Sequence, residues 1–339
     1  MQIKTLMTFI GWPHALTQVR LTRDLDPFLR LHFLYAAIET GLLAHLNAAP
    51  ATRETLARQL GAARPEFLYL LLDLGVALGE LALAAGLYSL KGQRARALGD
   101  PNGDALAAFL EECIAYHGSV YRHLAGRIKG DPLGNYLEDK GPLIARSSRT
   151  LEPLMKEFVT DTAARCQPAR LLEIGCGSGI YLRYAAAAHP TARGIGIDLE
   201  PAVVQQAQEN LTGWGLAERF TILAADIRNA PAELDGPFDL ISLYNNLYYF
   251  APEERPALFR HIHARLAPRG TFASVSLMRG PSAMAINFDI VLRSTIGCAA
   301  LPGLDETIDQ LRAAGFAEIE PAHILPLGNF YGIRAQRGE

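Results

Sequence analysis

The sequence predicts an α/β protein in which a doubly wound, mostly parallel sheet follows a helical N-terminal region. The first observation is that strand-like apolar runs alternate with helical patterns from about residue 168 to the end. The second is a short apolar run that ends in alternating glycines, LLEIGCGSG at residues 171–179. Right-handed crossover connections turn such an alternation into a parallel sheet. We therefore expect a functional site at the carboxyl ends of the strands.

The composition excludes several classes of protein. The 339 residues are 50% hydrophobic, enough for more than one core, and the net charge of −3 leaves no basic footprint for nucleic acid. The four cysteines are scattered without a C-x-x-C pair, which is typical of a reducing compartment and argues against zinc. No signal-peptide pattern and no apolar run of about 18 residues occurs. We predict a cytoplasmic protein that binds no metal, no nucleic acid and no membrane.

The first hundred residues show helical patterns that end in a hairpin. An apolar pattern predicts buried helix from Leu21 to about Leu46, with a break at Gly41. Thr52 is placed to cap a short helix, and Pro65 is placed to open the next one. The run LALAAGLYSL at residues 81–90 then predicts a short β-hairpin. This order of elements is that of a winged helix.

A winged helix can read DNA, but this sequence lacks the residues to do so. The presumed recognition helix, Glu66 to Leu78, contains no arginine and no lysine. Without cations or amides it cannot contact phosphates or base edges. Residues 1–100 are therefore predicted to be a winged-helix-like domain that does not bind DNA. Residues 101–165 follow as a helical connector, with breaks at 130–132 and 141–142.

The stretch from Leu171 to Gly179 carries the first functional signal. Its apolar residues have the length of a buried parallel strand, and a helical pattern begins at Tyr181. Gly175, Gly177 and Gly179 allow a tight turn with positive φ and a close approach of a ligand to the backbone. The helix N-terminus that follows offers unpaired N–H groups. A G-x-G-x-G run alone also occurs in phosphate-binding and dinucleotide-binding loops.

Three acidic residues narrow the interpretation of this loop. Glu173 lies inside the strand, where it would repel a phosphate but suit a cationic ligand. Asp198 ends the next strand, GIGID, where an acid accepts hydrogen bonds from ribose hydroxyls. Asp226 ends a third strand, TILAADI, where it can bind an adenine amino group. The spacing resembles that of the class I methyltransferases that use S-adenosylmethionine (SAM); the alternative is an NAD-binding domain.

The resemblance implies a Rossmann-like methyltransferase sheet with SAM as its cofactor. The implied cofactor-binding residues are Glu173, Gly175, Gly177, Gly179, Asp198, Leu199, Asp226 and Ile227. In similar enzymes the helical connector lies over the cofactor, so Arg146 is a candidate to hold the methionyl carboxylate, with Ser147, Asn135 and Tyr136 as others. Similar small-molecule methyltransferases dimerise through an N-terminal winged-helix domain, and we expect a homodimer.

Residues 166–339 are predicted to form the SAM-binding domain. Strands are expected to begin near Arg170, Arg193, Phe220, Phe238 and Thr271, as a parallel set. Two C-terminal strands resemble the antiparallel hairpin that distinguishes this methyltransferase sheet from dinucleotide-binding folds. The segment from Gly280 to about Leu301 resembles an insertion that covers an acceptor pocket, which Met284, Asn287, Phe288 and Arg293 would line.

The fourth strand, FDLISLY, runs into NNLYYF and brings polar and aromatic side chains to the ligand crevice. The candidate catalytic residues are Tyr244, Asn245, Asn246, Tyr248 and Tyr249. Aromatic faces attract a sulfonium by cation–π interaction, worth about 0.5–2 kcal/mol each. Asparagine can hold an amine or a carboxylate without adding net charge. Some of these rings belong to the core in the competing interpretation, and we expect two or three to face the site.

The sequence lacks a histidine just after the fourth strand, where many phenol O-methyltransferases carry a base; His261 and His263 fall in a later amphipathic helix. A base-poor site suits an acceptor that is already nucleophilic. We therefore predict a SAM-dependent methyltransferase that acts on a small metabolite, in secondary metabolism.

Two other hypotheses stay open at this point. The first is a SAM cyclase, similar to azetidine-2-carboxylate synthases, in which the α-amine of SAM attacks its own γ-carbon and methylthioadenosine leaves. A desolvated aromatic pocket lowers an ammonium pKa and so favours that nucleophile. The second is a non-catalytic, SAM-sensing regulator, which requires DNA binding.

Overall fold

The computed structural model describes residues 8, 10–229, 231, 234–325 and 328–339. The chain forms two compact units. The first consists of residues up to 123 together with 140–150, and the second of residues 124–139 together with 151–339. The division into segments 1–100, 101–165 and 166–339 stays a prediction, since the connector residues are shared between the two units.

The N-terminal part of the chain is helical and contains one hairpin. Its elements are α1 (Ala15–Glu39), α2 (Leu42–Ala48), α3 (Arg53–Gln59), α4 (Pro65–Ala77), β1 (Leu81–Ala84), β2 (Leu87–Leu90), α5 (Gln93–Gly99) and α6 (Asp104–Glu111). Thr52 caps α3 by accepting from the Thr55 N–H (3.2 Å), and Pro65 opens α4, as predicted. The chain breaks at Gly41, where φ is +73°, and β1 pairs with β2 in antiparallel fashion. The caps, the break and the hairpin are confirmed. The predicted burial of the helix from Leu21 is wrong for its first half, where Leu21, Leu25 and Phe28 are 63%, 50% and 52% exposed. The winged-helix assignment stays a prediction.

The helices that follow depart from the prediction at one position. They are α7 (Gly118–Ile128), which a π-helical turn (Glu112–His117) joins to α6, then α8 (Tyr136–Ser147) and α9 (Glu152–Cys166). The break predicted at residues 130–132 is present. The break predicted at 141–142 is wrong, because Pro142 lies inside α8. A proline removes one backbone hydrogen bond, and here it does not end the helix.

The second unit is built on a seven-stranded sheet. Its strands are β3 (Arg170–Ile174), β4 (Arg193–Asp198), β5 (Phe220–Ala224), β6 (Phe238–Tyr244), β7 (Leu266–Leu277), β8 (Phe316–His323) and β9 (Phe330–Arg337). Their order is β5-β4-β3-β6-β7-β9-β8. Strands β3 to β7 are mutually parallel, and β9 is antiparallel to both β7 and β8. The predicted parallel sheet and its C-terminal antiparallel hairpin are therefore confirmed.

The start of the fifth strand differs from the prediction. Four strands begin at the predicted residues, but β7 begins at Leu266 instead of Thr271. Leu266 pairs with Phe238, and the register then shifts before Thr271 pairs with Leu240. Arg269, in the irregular stretch, has a φ of +62°. Pro268 and Gly270 flank Arg269. Because proline and glycine are depleted in strands, the pattern does not predict this first part of β7.

Helices cover both faces of the sheet. They are α10 (Ile180–Ala188), α11 (Pro201–Gly213), α12 (Arg255–Arg265), α13 (Ala283–Arg293) and α14 (Leu304–Ala313). Alternate strand residues enter opposite cores: Leu171 packs with residues of α9, α10 and α11, and Leu172 packs with residues of α12 and α14. The strand order reverses between β3 and β6, which places a crevice at their carboxyl ends. Among the described residues, no helix is both long enough and apolar enough to cross a bilayer.

Candidate active site

The glycine loop joins β3 to α10 at the point where the strand order reverses. Gly175, Gly177 and Gly179 have φ values of +66°, +52° and +77°, a region that L side chains rarely adopt. A Cβ on Gly177 would have no atom within 4 Å, so the backbone there is open to a ligand. A Cβ on Gly175 would lie 2.2 Å from Nδ2 of Asn246, so that glycine is required by a close contact.

Asn246 holds the glycine loop from the carboxyl end of β6. Its Nδ2 donates to the carbonyl oxygens of Gly175 (2.8 Å) and Ile174 (3.2 Å). The sequence predicts Asn246 beside the reacting atoms. Its amide nitrogen contacts the loop backbone, and its assignment to the reacting atoms stays a prediction.

Asp198 is fixed at the carboxyl end of β4 by two backbone donors. The Gly177 N–H donates to its Oδ2 (3.0 Å), and the Glu200 N–H donates to its Oδ1 (3.3 Å). Each carboxylate oxygen can accept a further hydrogen bond. The next side chain, Leu199, is 61% exposed and has apolar surface to offer a ligand.

Asp226 forms a bidentate ion pair that the sequence analysis missed. Arg228 donates to it from Nε (2.9 and 3.0 Å), from Nη2 (2.9 Å) and from its backbone N–H (2.9 Å). The Arg228 guanidinium also lies 5.5 Å from the centroid of the Phe250 ring. Ile227, which lies between Asp226 and Arg228 in the sequence, is buried in the core on the α12 face of the sheet. The sequence signal that could have revealed this ion pair is an arginine two residues after an aspartate in a tight turn.

Glu173 is a fully buried carboxyl in the middle of the sheet. Its neighbours across the sheet are Gly196 of β4 and Ser242 of β6. The residue is 1% exposed, and Oε1 has no hydrogen-bond partner among the described residues. Burial raises the pKa of this carboxyl well above its usual range, and the nearby charge of Asp198 raises it further.

The aromatic residues predicted as one cluster form two groups. Tyr244 is buried, and its ring meets those of Tyr181 (5.3 Å between centroids) and Phe158 (6.4 Å) edge to face. Burial and the Glu173 carboxyl raise the pKa of both tyrosines. Both tyrosines therefore lie near Glu173. Asn245 has a φ of +55°, and its Nδ2 donates to the Met155 sulfur (3.9 Å).

The second aromatic group lies after β6 and includes the predicted insertion. The Tyr248 ring lies 4.9 Å from that of Tyr249 and 5.7 Å from that of Phe288, on α13. The Ala299 N–H donates to the Tyr248 carbonyl oxygen (2.8 Å). Phe288 therefore contacts Tyr248, while Met284 is 59% exposed, and their assignment to an acceptor pocket stays a prediction. Hereafter we call Tyr248, Tyr249 and Phe288 the aromatic wall.

A buried arginine supports the aromatic wall, and no sequence pattern revealed it. Arg255, the first residue of α12, is 1% exposed. Its Nε donates to the Phe250 carbonyl oxygen (3.1 Å), and its Nη2 donates to that of Ala300. The adjacent Leu301 N–H donates to Oδ1 of Asp289 (2.8 Å). The loop after β6 and the segment after α13 are thus tied together by hydrogen bonds.

The remaining polar candidates lie on the helical connector. Arg146 belongs to the first unit, where its Nη2 contacts Oδ1 of Asp104 (2.6 Å) and its Nη1 contacts Oε2 of Glu111 (3.5 Å). This guanidinium holds the pKa of Asp104 below its usual range. Ser147 is buried and donates to the Ile144 carbonyl oxygen (3.0 Å). The assignment of Arg146 to a methionyl carboxylate stays a prediction.

In the second unit, Tyr136 and Asn135 have partners of their own. The Arg127 Nη2 donates to the Tyr136 hydroxyl (2.5 Å), and the Asn135 amide donates to Glu138. The Gly134 N–H donates to the Ser294 carbonyl oxygen (3.0 Å), which joins this segment to the end of α13.

The described part of the chain has no metal cluster, and two histidines of the second unit pack against aromatic rings. Within residues 8–339 apart from the gaps, no group of three or more His, Cys, Asp or Glu side chains could hold a metal ion. His263 packs against Phe316, and His323 stacks on Tyr331 with 4.5 Å between ring centroids.

Comparison with known proteins identifies a methyltransferase domain in the second unit. A sequence model described as a methyltransferase domain matches residues 171–270, from the start of β3 into β7. The chain is a SAM-dependent methyltransferase. The predicted enzyme class and cofactor are confirmed.

Two kinds of relative accompany this methyltransferase domain. The chain is 27% identical to the demethylspheroidene O-methyltransferase of Cereibacter sphaeroides over 319 residues, which cover 86% of this chain and 80% of that protein. Its fold matches that of a mitomycin 7-O-methyltransferase with a TM-score of 0.79 and 20% identity, over 96% of this chain and 99% of the other. Human N-acetylserotonin methyltransferase, solved with SAM, matches with a TM-score of 0.74 and 18% identity, over 97% and 99%. The predicted fold class is confirmed.

The residues of this methyltransferase fit SAM by their own chemistry. Glu173 offers a buried carboxyl that lacks a hydrogen-bond partner at one oxygen, which suits a ligand with positive charge. The open backbone at Gly177 leaves room that a side chain would fill. Asp198, beside that glycine, offers the acceptors that two hydroxyl groups need.

Proposed function

We propose that this methyltransferase transfers the methyl group of SAM to a small organic metabolite, of the kind made in secondary metabolism. The aromatic wall is the observation that carries the proposal. The Tyr248 ring is tilted against that of Tyr249 and meets that of Phe288 edge to face, at 4.9 and 5.7 Å between centroids. Such a cluster offers the apolar, aromatic contacts that a small aromatic or polyunsaturated acceptor requires. The relatives named for demethylspheroidene and mitomycin, both small molecules, support it.

On the cofactor side, each residue has a distinct task. SAM supplies an electrophilic methyl group on a positively charged sulfur. Asp198 accepts hydrogen bonds from the ribose hydroxyls while Gly177 and Glu200 hold its carboxylate in place. Asn246 keeps the glycine loop in its left-handed conformation, and Asp226, paired with Arg228, faces the adenine.

On the acceptor side, the chain contributes positioning and the exclusion of water. Arg255 and Asp289 fix the backbone that carries Tyr248 and its neighbours, so the rings do not have to be ordered when the acceptor arrives. Holding two reactants in line supplies a large part of the rate in such a displacement. The acceptor is one whose nucleophilic atom needs little help from a base.

We also propose that two copies of the chain associate through α1. Leu21, Leu25 and Phe28 are 63%, 50% and 52% exposed, and their spacing places them on one side of the helix. Phe67 and Leu70 of α4, the helix that would otherwise read DNA, are likewise 61% and 65% exposed. Apolar surface of this extent suits a protein partner rather than DNA.

The oligomeric state tests this association directly. Sedimentation should give a dimer for the unmodified protein and a monomer for the double variant Leu25→Ser, Phe28→Ser. The matched control is Ile128→Ser, which removes a side chain that is 79% exposed but lies in the second unit. A monomeric unmodified protein would overturn the proposal.

The catalytic proposal is tested by turnover with analysis of both products. The protein is incubated with SAM and a panel of small aromatic and polyene acceptors that carry hydroxyl or amino groups. Mass spectrometry should show a methylated acceptor together with S-adenosylhomocysteine, and Asp198→Ala should reduce both. Cyclisation of SAM stays a hypothesis, and it predicts methylthioadenosine from SAM alone. That outcome would replace methyl transfer as the function.

A further inference from the structure

We propose that the second unit carries another small-molecule site, which binds a zwitterion of the α-amino acid type. The site is a cavity of about 420 Å³ whose lining includes Ala169, just before β3, Asp239, at the start of β6, and Thr271 of β7. It therefore lies at the amino ends of these strands, whereas the candidate active site lies at their carboxyl ends. Sites for small molecules have volumes of about 300–1,000 Å³, so the cavity is large enough for such a ligand.

Three residues that line this cavity hold a backbone conformation that favours glycine. Gln167, Arg269 and Glu318 have φ values of +43°, +62° and +45°. Glycine would adopt this conformation at no steric cost, but each position carries a long polar side chain instead. Non-glycine residues in this region of φ are uncommon, and strained backbone is concentrated at active sites and ligand clamps. Their grouping around one cavity indicates a task that needs the side chains.

The three side chains are available to a ligand. All three residues are exposed, and in the described part of the chain no hydrogen bond or ion pair of their side chains is found. Arg269 presents a guanidinium, Glu318 a carboxylate and Gln167 a primary amide. An amino acid zwitterion matches both charges at once, because its carboxylate accepts from Arg269 and its ammonium donates to Glu318.

The other charged groups of the cavity already have partners. The Arg165 Nε and the Arg334 Nη2 contact the same carboxylate oxygen of Asp161, at 2.9 and 2.6 Å. Oδ2 of Asp239 accepts from a backbone N–H (2.8 Å), and Glu320 lies 3.8 Å from Nη1 of Arg165. The charges left for a ligand are one positive and one negative, which favours a zwitterion over a simple anion or cation.

The sheet register places a neutral amide between the two available charges. Gln336 of β9 lines the cavity and pairs with Thr271 of β7 on one side and with Ala317 of β8 on the other. Arg269 precedes Thr271 by two residues, and Glu318 directly follows Ala317. Two strand spacings, about 10 Å, separate β7 from β8. Two long side chains can close this span on a small ligand that lies over the end of β9.

Titration calorimetry with each standard amino acid, added singly at about pH 7, tests the proposal. Amino acids are zwitterions at this pH. We expect at least one of them to bind. Its amide, which lacks the carboxylate, and its N-acetyl derivative, which lacks the ammonium, should each bind at least about tenfold more weakly, since each loses a charge-assisted contact.

The same titration on charge variants assigns the contacts. Arg269→Gln and Glu318→Gln should each lose at least about tenfold in affinity for the amino acid that binds. The matched control is Arg312→Gln, which removes an arginine of α14 whose side chain is 66% exposed and pairs with Asp309. The control should bind the amino acid as the unmodified protein does.

Glycine variants separate binding from folding. Arg269→Gly and Glu318→Gly remove the charged side chain and supply the residue that the backbone conformation favours. Scanning calorimetry should show unfolding temperatures no lower than that of the unmodified protein, while amino acid binding is lost. Lower unfolding temperatures in both variants would assign the two side chains to the stability of the fold and overturn the proposal.

The location of the ligand is tested by competition. Binding of the amino acid should persist when S-adenosylhomocysteine saturates the cofactor site, since the two sites lie at opposite ends of the strands. Displacement would place the amino acid in the cofactor site and overturn the proposal, as would unchanged affinity in either charge variant or no binding of any amino acid. None of these measurements uses a methyl acceptor, so their failure leaves the proposed function as it stands.

Discussion

Replacement of Asn246 by alanine tests how the glycine loop obtains its shape. The Asn246 amide donates to two carbonyl oxygens of that loop, at 2.8 and 3.2 Å. Alanine removes both donors and creates no clash, because it is smaller than asparagine. The loop backbone at Gly175 then keeps its positive φ with no side chain to fix it.

The expected loss follows from the two hydrogen bonds. Each is worth about 0.5–1.5 kcal/mol net, so their removal costs about 2 kcal/mol. If that energy holds the loop in its binding conformation, affinity for SAM falls by about thirtyfold. Asn246→Asp should be worse than alanine, because it places carboxylate oxygens against the same two carbonyl oxygens.

Calorimetric titration with S-adenosylhomocysteine measures this loss without turnover. Asn245→Ala is the matched control, because the Nδ2 of Asn245 contacts the Met155 sulfur (3.9 Å) and does not hold the loop. The variant of Asn246 should lose much more affinity than the variant of Asn245. Equal affinities for Asn246→Ala and the unmodified protein would refute the reasoning.

Three further predictions concern single side chains. Asp198→Ala should weaken SAM binding by more than about 1 kcal/mol, since charge-assisted hydrogen bonds are lost, and calorimetry showing unchanged affinity would contradict the ribose assignment. Tyr248→Ala and Phe288→Ala should raise KM for the acceptor severalfold and leave the Kd of S-adenosylhomocysteine unchanged; a large change in that Kd would place the aromatic wall on the cofactor instead. Glu173→Gln should stabilise the cofactor-free protein increasingly as pH rises from about 5 to about 8. The sign follows because the pKa of Glu173 is raised in the folded protein, so the protonated acid stabilises the fold at low pH. This contribution is lost as pH rises through the folded pKa, and glutamine, which cannot ionise, does not lose it. A difference in urea-unfolding free energy between variant and unmodified protein that does not grow with pH would contradict the prediction.

The glycine loop and the strand ends could be predicted because their signals are local. A positive φ restricts the residue type at the position itself, and all three glycines adopt it. Likewise, parallel strands bring their carboxyl ends to one edge, so Glu173, Asp198 and Asp226 were assigned to one site from their order alone. Neither inference needed a long-range contact.

The roles of neighbouring residues after β6 could not be predicted in the same way. Asn245 and Asn246 are adjacent and chemically identical, yet one donates to the Met155 sulfur and the other to the glycine loop. Tyr244 is the last residue of β6 and belongs to the core, whereas Tyr248 lies in a 3₁₀ turn and meets Phe288 of a distant helix. Which side of the sheet a turn residue reaches depends on tertiary packing, which leaves no mark in a short motif.

The two acids nearest the glycine loop show why residue type alone does not assign a role. Asp198 ends its strand, so its carboxylate meets the free N–H groups of Gly177 and Glu200, and it is stable as an anion before any ligand arrives. Glu173 lies inside its strand, where the backbone N–H groups are used by the sheet and none is free for the side chain. Binding of methylthioadenosine should therefore depend on Asp198 and be indifferent to Glu173, while the additional affinity for the charged cofactor should depend on Glu173. The two acids have different roles because Asp198 stands at the end of its strand and Glu173 does not.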